Sequence, residues 1–237
     1  GLKKENFDII NNPEESDIII VNTCGFLDTA REESIETILD CGNLKKTSNV
    51  EKLLVMGCFS ERYGTDLIDE MPEVDKFFGT NDHSVVLSYL TGKEYKKDDP
   101  DYFRSILTPN HYAYLKVAEG CDNVCSFCSI PMMRGLQVSD TLEKNLLEAQ
   151  RLVDSGVKEL LLIAQDTTSY GWDLNPKSSL HELLDVLDNV KGLEWLRLHY
   201  AHPAHLNSEV IKRYSRLNTL IPYIDMPTQH GSDKILK

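Results

Sequence analysis

The stretch EGCDNVCSFCSIPMMRG, residues 119–135, carries Cys121, Cys125 and Cys128 in a C-x3-C-x2-C spacing. Thiolates are soft ligands, suited to zinc and to iron-sulfur clusters. A closed structural zinc site takes four ligands, so three thiols on one short loop would need a distant His or Cys to complete it. A cubane cluster held by three thiolates leaves one iron open, and an open iron can accept the amine and carboxylate of a substrate. The spacing, with Phe127 directly before the last cysteine, favours the cluster. A zinc site completed from elsewhere, or unrelated buried thiols, is the alternative.

Three further cysteines lie in the first half of the chain. Cys24 and Cys58 each follow a strand-like apolar run, in VNTCGF and VMGCFS. If those strands are parallel neighbours, both thiols emerge on the sheet edge where open α/β sheets bind ligands. Cys41 sits at an expected helix end, before Gly42 and Asn43, and reads as an incidental thiol. Polar groups also collect at expected strand ends: Gln165, Asp166 and Thr167 after one strand, Gln229 and His230 after another. Capping competes with function at each of them. His199, His202 and His205 in HYAHPAH suggest a metal set, but Pro203 breaks the helical phase that would align them, and no metal role is expected.

The elements that must position these residues alternate. Strands are expected at residues 17–25, 52–58 and 75–80, with helices at 29–39, 61–70 and 83–90; Glu32, Glu33 and Glu36 fall on the first helix's polar side. This order predicts a doubly wound parallel sheet. Residues 91–110 are polar, charge-dense and broken by Gly and Pro, as a linker would be. Strands at 113–120, 158–164, 194–200 and 223–227 then alternate with helices at 139–155, 180–190 and 208–216. Leu142, Leu146, Leu147 and Leu152 are expected in the core. Four such units make the first half of a β/α barrel, whose chemistry sits at the C-terminal strand ends. Four strands cannot close a barrel, so a longer parent protein is expected.

Composition narrows the function class. The 237 residues are 41% hydrophobic and 27% charged, which suits globular cores, and no apolar run of membrane-spanning length or secretory leader is found. Six cysteines in such a chain suggest ligands or catalysis more than disulfides, and a cytoplasmic location is expected. The net charge of −13 is the wrong sign for gripping a phosphate backbone and suits a basic protein partner. Neither a phosphate-binding glycine loop of the Walker type nor a serine nucleophile elbow occurs.

The motif CDNVCSFC, in its setting HYAYLKVAEGCDNVCSFCSIPMMRG, resembles the radical S-adenosylmethionine (SAM) signature and, more closely, the methylthiotransferase family. The resemblance extends over nearly all of the chain. It implies an N-terminal α/β domain at 1–95, incomplete at its start, a linker at 96–110, and a truncated radical SAM domain at 111–237. It further implies SAM and two 4Fe-4S clusters. Cys121, Cys125 and Cys128 would hold the SAM-cleaving cluster; Cys24 and Cys58 match two of three ligands of an auxiliary cluster, the third lying on a strand before Gly1. Phe127, Gln165, Asp166, His199 and Gln229 would line the SAM pocket.

Two branches of that family share the chemistry. VNTCGFLDTAREESIETI, LLLIAQDTTSYGWDL, WLRLHYAHPAHL and YIDMPTQHGSD resemble the branch that adds a methylthio group to the β-carbon of an aspartyl residue of ribosomal small-subunit protein twelve. The tRNA-modifying branch would read closer to G-Q-N-V-N-S-Y in place of AQDTTSYG. The resemblance therefore implies a basic ribosomal protein as substrate and an electron-donor protein, with neither tRNA nor membrane as partner. A tRNA-modifying enzyme, or a zinc-stabilised binding module without catalysis, stands as the alternative.

Overall fold

A computed structural model describes residues 1–96 and 104–236. Residues 97–103 of the expected linker lie outside the described residues. The chain divides into two compact units, one formed by 1–105 with 125–134, the other by 106–124 with 135–237.

In the first unit the β-branched run Ile18–Thr23 forms β1, followed by α1 (Asp28–Thr47), β2 (Lys52–Gly57), α2 (Cys58–Leu67), β3 (Lys76–Phe77) and α3 (His83–Thr91). The strands pair in parallel in the order β1-β2-β3, and β1 meets β2 without slip from Ile18 opposite Lys52 to Thr23 opposite Gly57. Central β2 is covered on both faces, which is why its sequence is continuously apolar. Leu53 and Val55 pack with Ile38 of α1 and Phe59 of α2, while Leu54 and Met56 pack with Val86 of α3. Helices on both faces give the doubly wound arrangement.

Helix α1 continues well beyond the expected stop near residue 39. Buried Cys41, the packing of Leu44 on the core, and a 2.6 Å ion pair from Lys45 to Asp75 hold its second half together. Tertiary packing there outweighs the poor helix propensity of Gly42. Helix α2 begins earlier than expected, so that Cys58 is its first residue.

The second unit is built on β4 (Tyr112–Lys116), β7 (Glu159–Ile163), β8 (Trp195–Leu198) and β9 (Leu220–Ile224), paired in parallel in that order. Between them come β5 (Ala118–Glu119), α4 (Ile130–Arg134), β6 (Val138–Ser139), α5 (Leu142–Asp154), α6 (Leu180–Leu187) and α7 (Ser208–Arg213); α8 (Asp233–Leu236) follows β9. Of these, α4 folds with the first unit, beside α2. The side chains of Thr141, Ser179 and Asn207 cap α5, α6 and α7, each accepting the backbone N–H of the residue three positions on.

Three further expectations are corrected. The strand expected at 113–120 is two strands, because the Val117 carbonyl accepts from Asp140 N–H at 2.9 Å and turns the chain into an antiparallel pair of β5 with β6. The last strand lies at 220–224, three residues early, as an edge strand that tolerates Pro222 and bulges opposite β8. Leu146 and Leu147 are exposed, since α5 buries Asn145, Ala149 and Leu152 instead.

Gly120 closes the neck of the segment that carries the cysteine triplet. Its φ is +81°, and a Cβ there would drive into the backbone carbonyls of Leu136 and Gly135. Gly92 also has a positive φ, +72°, but open space around it. Gly92→Ala is expected to cost about 1 kcal/mol from backbone conformation alone. Gly120→Ala should lower the thermal unfolding midpoint by clearly more; equal shifts would show that the neck has slack.

Candidate active site

The segment from Cys121 to Gly135 is tied at its base. Cys121 N–H donates to the Gly135 carbonyl at 3.2 Å, and Gln137 N–H donates to Asp122 Oδ1 at 2.9 Å. The buried Gln137 side chain donates from Nε2 to the Ser169 carbonyl at 2.8 Å and accepts from the Ser169 hydroxyl at 2.5 Å. The base is thereby fixed to the turn that follows β7.

Cys121 is buried at this base, Cys125 is exposed, and Cys128 is half-buried with its N–H donating to the Cys125 carbonyl at 3.0 Å. Phe127 is 82% exposed. All six cysteines are free thiols. Among the described residues no three His, Cys, Asp or Glu side chains converge as ligands of a single metal ion. Three unlinked soft donors on one short segment suit a cluster, which spreads its ligands over several irons.

Asp166 follows β7 and is 1% exposed. Its Oδ1 accepts from Thr168 N–H at 3.0 Å and from the Thr168 hydroxyl at 2.5 Å. Its Oδ2 accepts from Asn123 Nδ2 at 3.0 Å and from His205 Nδ1 at 2.6 Å. Burial pushes the carboxyl pKa up, but hydrogen bonds from Thr168, His205 and Asn123 prevail and hold it below the ordinary value. Four protein donors thus occupy Asp166, which is turned inward. His205, for which no role was expected, is its partner, and His205 in turn stacks on His202 and meets Trp172 edge-on.

The other polar residues at strand ends differ. Gln165 donates from Nε2 to Glu119 Oε1 at 2.9 Å, while its Oε1 is buried without a partner among the described residues. Thr167 Oγ1 and His199 Nε2 are likewise buried and unpartnered. His199 Nδ1 lies 3.3 Å from Asp225 Oδ2, beyond the end of β9. Buried polar atoms without partners are rare enough to suggest a missing ligand. Gln229 is exposed, with φ +64°. These strand ends of β7 and β8 carry the orphaned acceptors and donors that a nucleoside-bearing molecule such as SAM could satisfy.

Cys24 and Cys58 each lie one residue beyond the register pair Thr23 and Gly57, so the thiols emerge from adjacent strand ends. Gly25 allows the close approach: a Cβ there would lie 2.8 Å from Cys58 O and from Phe59 N. The backbone N–H of Cys24 donates to Ser34 Oγ at 3.2 Å, and Thr23 Oγ1 donates to the Met56 carbonyl at 2.6 Å. Two soft donors side by side suit part of a cluster site. Cys41 is remote from this edge, in the core, where burial and then the nearby Asp40 push its thiol pKa up.

Two residues escaped the reading of the sequence. Asn123 lies inside the cysteine motif, where its Nδ2 also donates to Cys121 Sγ at 3.4 Å. His205 was grouped with its neighbours by spacing. Neither carries a local signal, because each acts through a carboxylate about forty residues away in the chain.

Residues 1–79 match the model of "Uncharacterized protein family UPF0004", and residues 115–237 match that of the radical SAM superfamily. The chain is similar to the ribosomal protein uS12 methylthiotransferase RimO of Flavobacterium psychrophilum, with 48% identity over 236 residues covering 100% of the chain and 54% of that relative. It is 50% identical to RimO of Flavobacterium johnsoniae over 94% of the chain and 51% of the relative, and 43% identical to RimO of Thermoanaerobacter sp. over 100% and 56%. The chain spans about half the length of these curated relatives.

Among solved structures, the radical SAM methyltransferase TsrM of Kitasatospora setae is similar in fold, with TM-score 0.59 and 12% identity over 92% of this chain and 49% of that one. The cobalamin-dependent SAM radical enzyme OxsB is similar at TM-score 0.59 and 14% identity, over 93% and 36%. With the superfamily model matching half of its residues, and RimO-like sequence running through both of its units, the chain belongs to the radical SAM superfamily, in a form similar to the RimO methylthiotransferases.

Proposed function

We propose that the parent protein of this chain is a radical SAM methylthiotransferase that adds a methylthio group to the β-carbon of an aspartyl residue of ribosomal protein uS12. The observation that carries the reading is that likeness to RimO relatives runs through both cysteine-bearing halves, over 236 residues at 48% identity. The net charge of −13 suits a basic ribosomal protein and disfavours tRNA. Among the described residues no helix is long and apolar enough to cross a membrane. We assign the protein to the cytoplasm, with an electron-donor protein as its reductant.

In this reading Cys121, Cys125 and Cys128 hold one 4Fe-4S cluster, and Cys24 and Cys58 supply two ligands of an auxiliary one. The two domains are a methylthiotransferase N-terminal domain over 1–95 and a radical SAM domain from 111. Clusters held by these cysteines would supply one-electron reduction of SAM and the sulfur for transfer. The chain's own residues do the rest. The tied base of the cysteine segment fixes Cys121, while exposed Cys125 offers its sulfur freely. Gln165 Oε1, Thr167 Oγ1 and His199 Nε2 take up the polar groups of SAM, and Asp225 orients the His199 ring. Phe127 and Gln229, both exposed, complete the SAM-facing set.

The test uses the full-length parent, reconstituted anaerobically with iron and sulfide and given SAM and a reductant. In parallel incubations with uS12 and with tRNA, mass spectrometry should find the methylthio mass gain on a uS12 aspartate; a gain on tRNA alone would move the protein to the sister branch. Replacing cysteines separates the two sites. Cys125→Ala is expected to abolish 5′-deoxyadenosine formation, followed chromatographically. Cys24→Ala should leave that product and lose methylthio transfer. Persistence of SAM cleavage in Cys125→Ala would defeat the assignment of the triplet.

A further inference from the structure

Asn123 is the point where the cysteine segment, the end of β7 and the loop after β8 meet. Its orientation follows from its partners. Asp166, held ionised by its donors, can only accept, so the nitrogen of the Asn123 amide must face Asp166 Oδ2, at 3.0 Å. The same nitrogen lies 3.4 Å from Cys121 Sγ. A carboxamide nitrogen has two hydrogens, enough to serve both acceptors. Asp166 is prevented from turning away, because Thr168 holds its other oxygen twice and His205 Nδ1 shares Oδ2 at 2.6 Å. By the same logic His205 carries its proton on Nδ1.

We infer that Asn123 donates a hydrogen bond to the sulfur of cluster ligand Cys121 and sets the reduction potential of the cluster, with Asp166 and His205 as positioning residues that hold the amide in place. The inference rests on the reading of Cys121 as a cluster ligand. A donor to a ligand sulfur places partial positive charge where an added electron increases negative charge, so it favours the reduced cluster and raises the potential. Reductive SAM cleavage needs a low potential that the electron donor can still reach. An amide anchored on a buried carboxylate is a fixed setting for that balance, because turning it away from Cys121 by rotating off Asp166 would leave the carboxylate short of a donor.

The test reads a potential, which a purely structural role would not move in a defined direction. In the full-length parent carrying Cys24→Ala and Cys58→Ala, the remaining cluster is titrated with redox mediators and followed by electron paramagnetic resonance. Asn123→Leu keeps the side chain's shape and removes the donor; at equal iron and sulfide content its midpoint potential should lie below that of the parent. An unchanged potential at equal content would overturn the inference.

If Asn123→Leu holds less iron, the parent alone decides. After growth on asparagine labelled with ¹⁵N only at the side-chain amide, pulsed resonance of the reduced cluster should show a ¹⁵N coupling, and its absence would overturn the inference. Cys121→Ala separates the two layers of argument: a full cluster in that variant would refute the ligand reading itself, independently of Asn123.

Discussion

Parallel strand pairing is the constraint on which both candidate sites depend. The central strands β2 and β7 are buried on both faces, so they give up their side chains to the core and leave polar chemistry to their ends. In the first unit this puts Cys24 and Cys58 just past the paired ends of β1 and β2. In the second it puts Gln165, Asp166 and Thr167 past β7 and His199 past β8. The ends are neighbours because the register is unslipped, and the register is unslipped because β2 and β7 are buried along their lengths.

Within the second unit, the buried carboxylate of Asp166 turns that shared edge into one connected structure. An ionised group out of contact with water must be matched by donors, and the four it finds come from its own turn, from the cysteine motif and from the loop after β8. A second buried network, Gln137 with Ser169 and Ser139 with Gly171, ties the other end of the cysteine segment to the same turn. Beneath them Tyr170 is fully buried, donating to the Asp140 carbonyl at 2.7 Å, with burial as the main cause that pushes its pKa up to about 12. Segment and strand ends are therefore held by hydrogen bonds whose loss would leave buried groups unmatched.

Much of this was legible in the sequence. The alternation of β-branched runs with helical stretches gave the parallel order, since period and punctuation are local properties. The C-x3-C-x2-C motif is visible in the sequence because residue spacing is local too. What was not legible depends on distant partners. The split of the strand at Val117 is set by Asp140, the length of α1 by Asp75, and the inward turn of Asp166 by Asn123 and His205. Leu146 and Leu147 illustrate the opposite error: apolar type alone implied burial, while α5 buries Asn145, which donates to the Tyr170 hydroxyl at 3.2 Å.

The central claim is that three thiolates on the 121–128 segment hold a cluster with one iron left for SAM. Its most direct measurement is Mössbauer spectroscopy of the ⁵⁷Fe-reconstituted full-length parent lacking Cys24 and Cys58, recorded with and without SAM. The account predicts a four-iron cluster in which one iron alone changes its spectrum when SAM is added. A protein that takes up zinc in place of an iron-sulfur cluster, or a cluster whose irons are all indifferent to SAM, would contradict it.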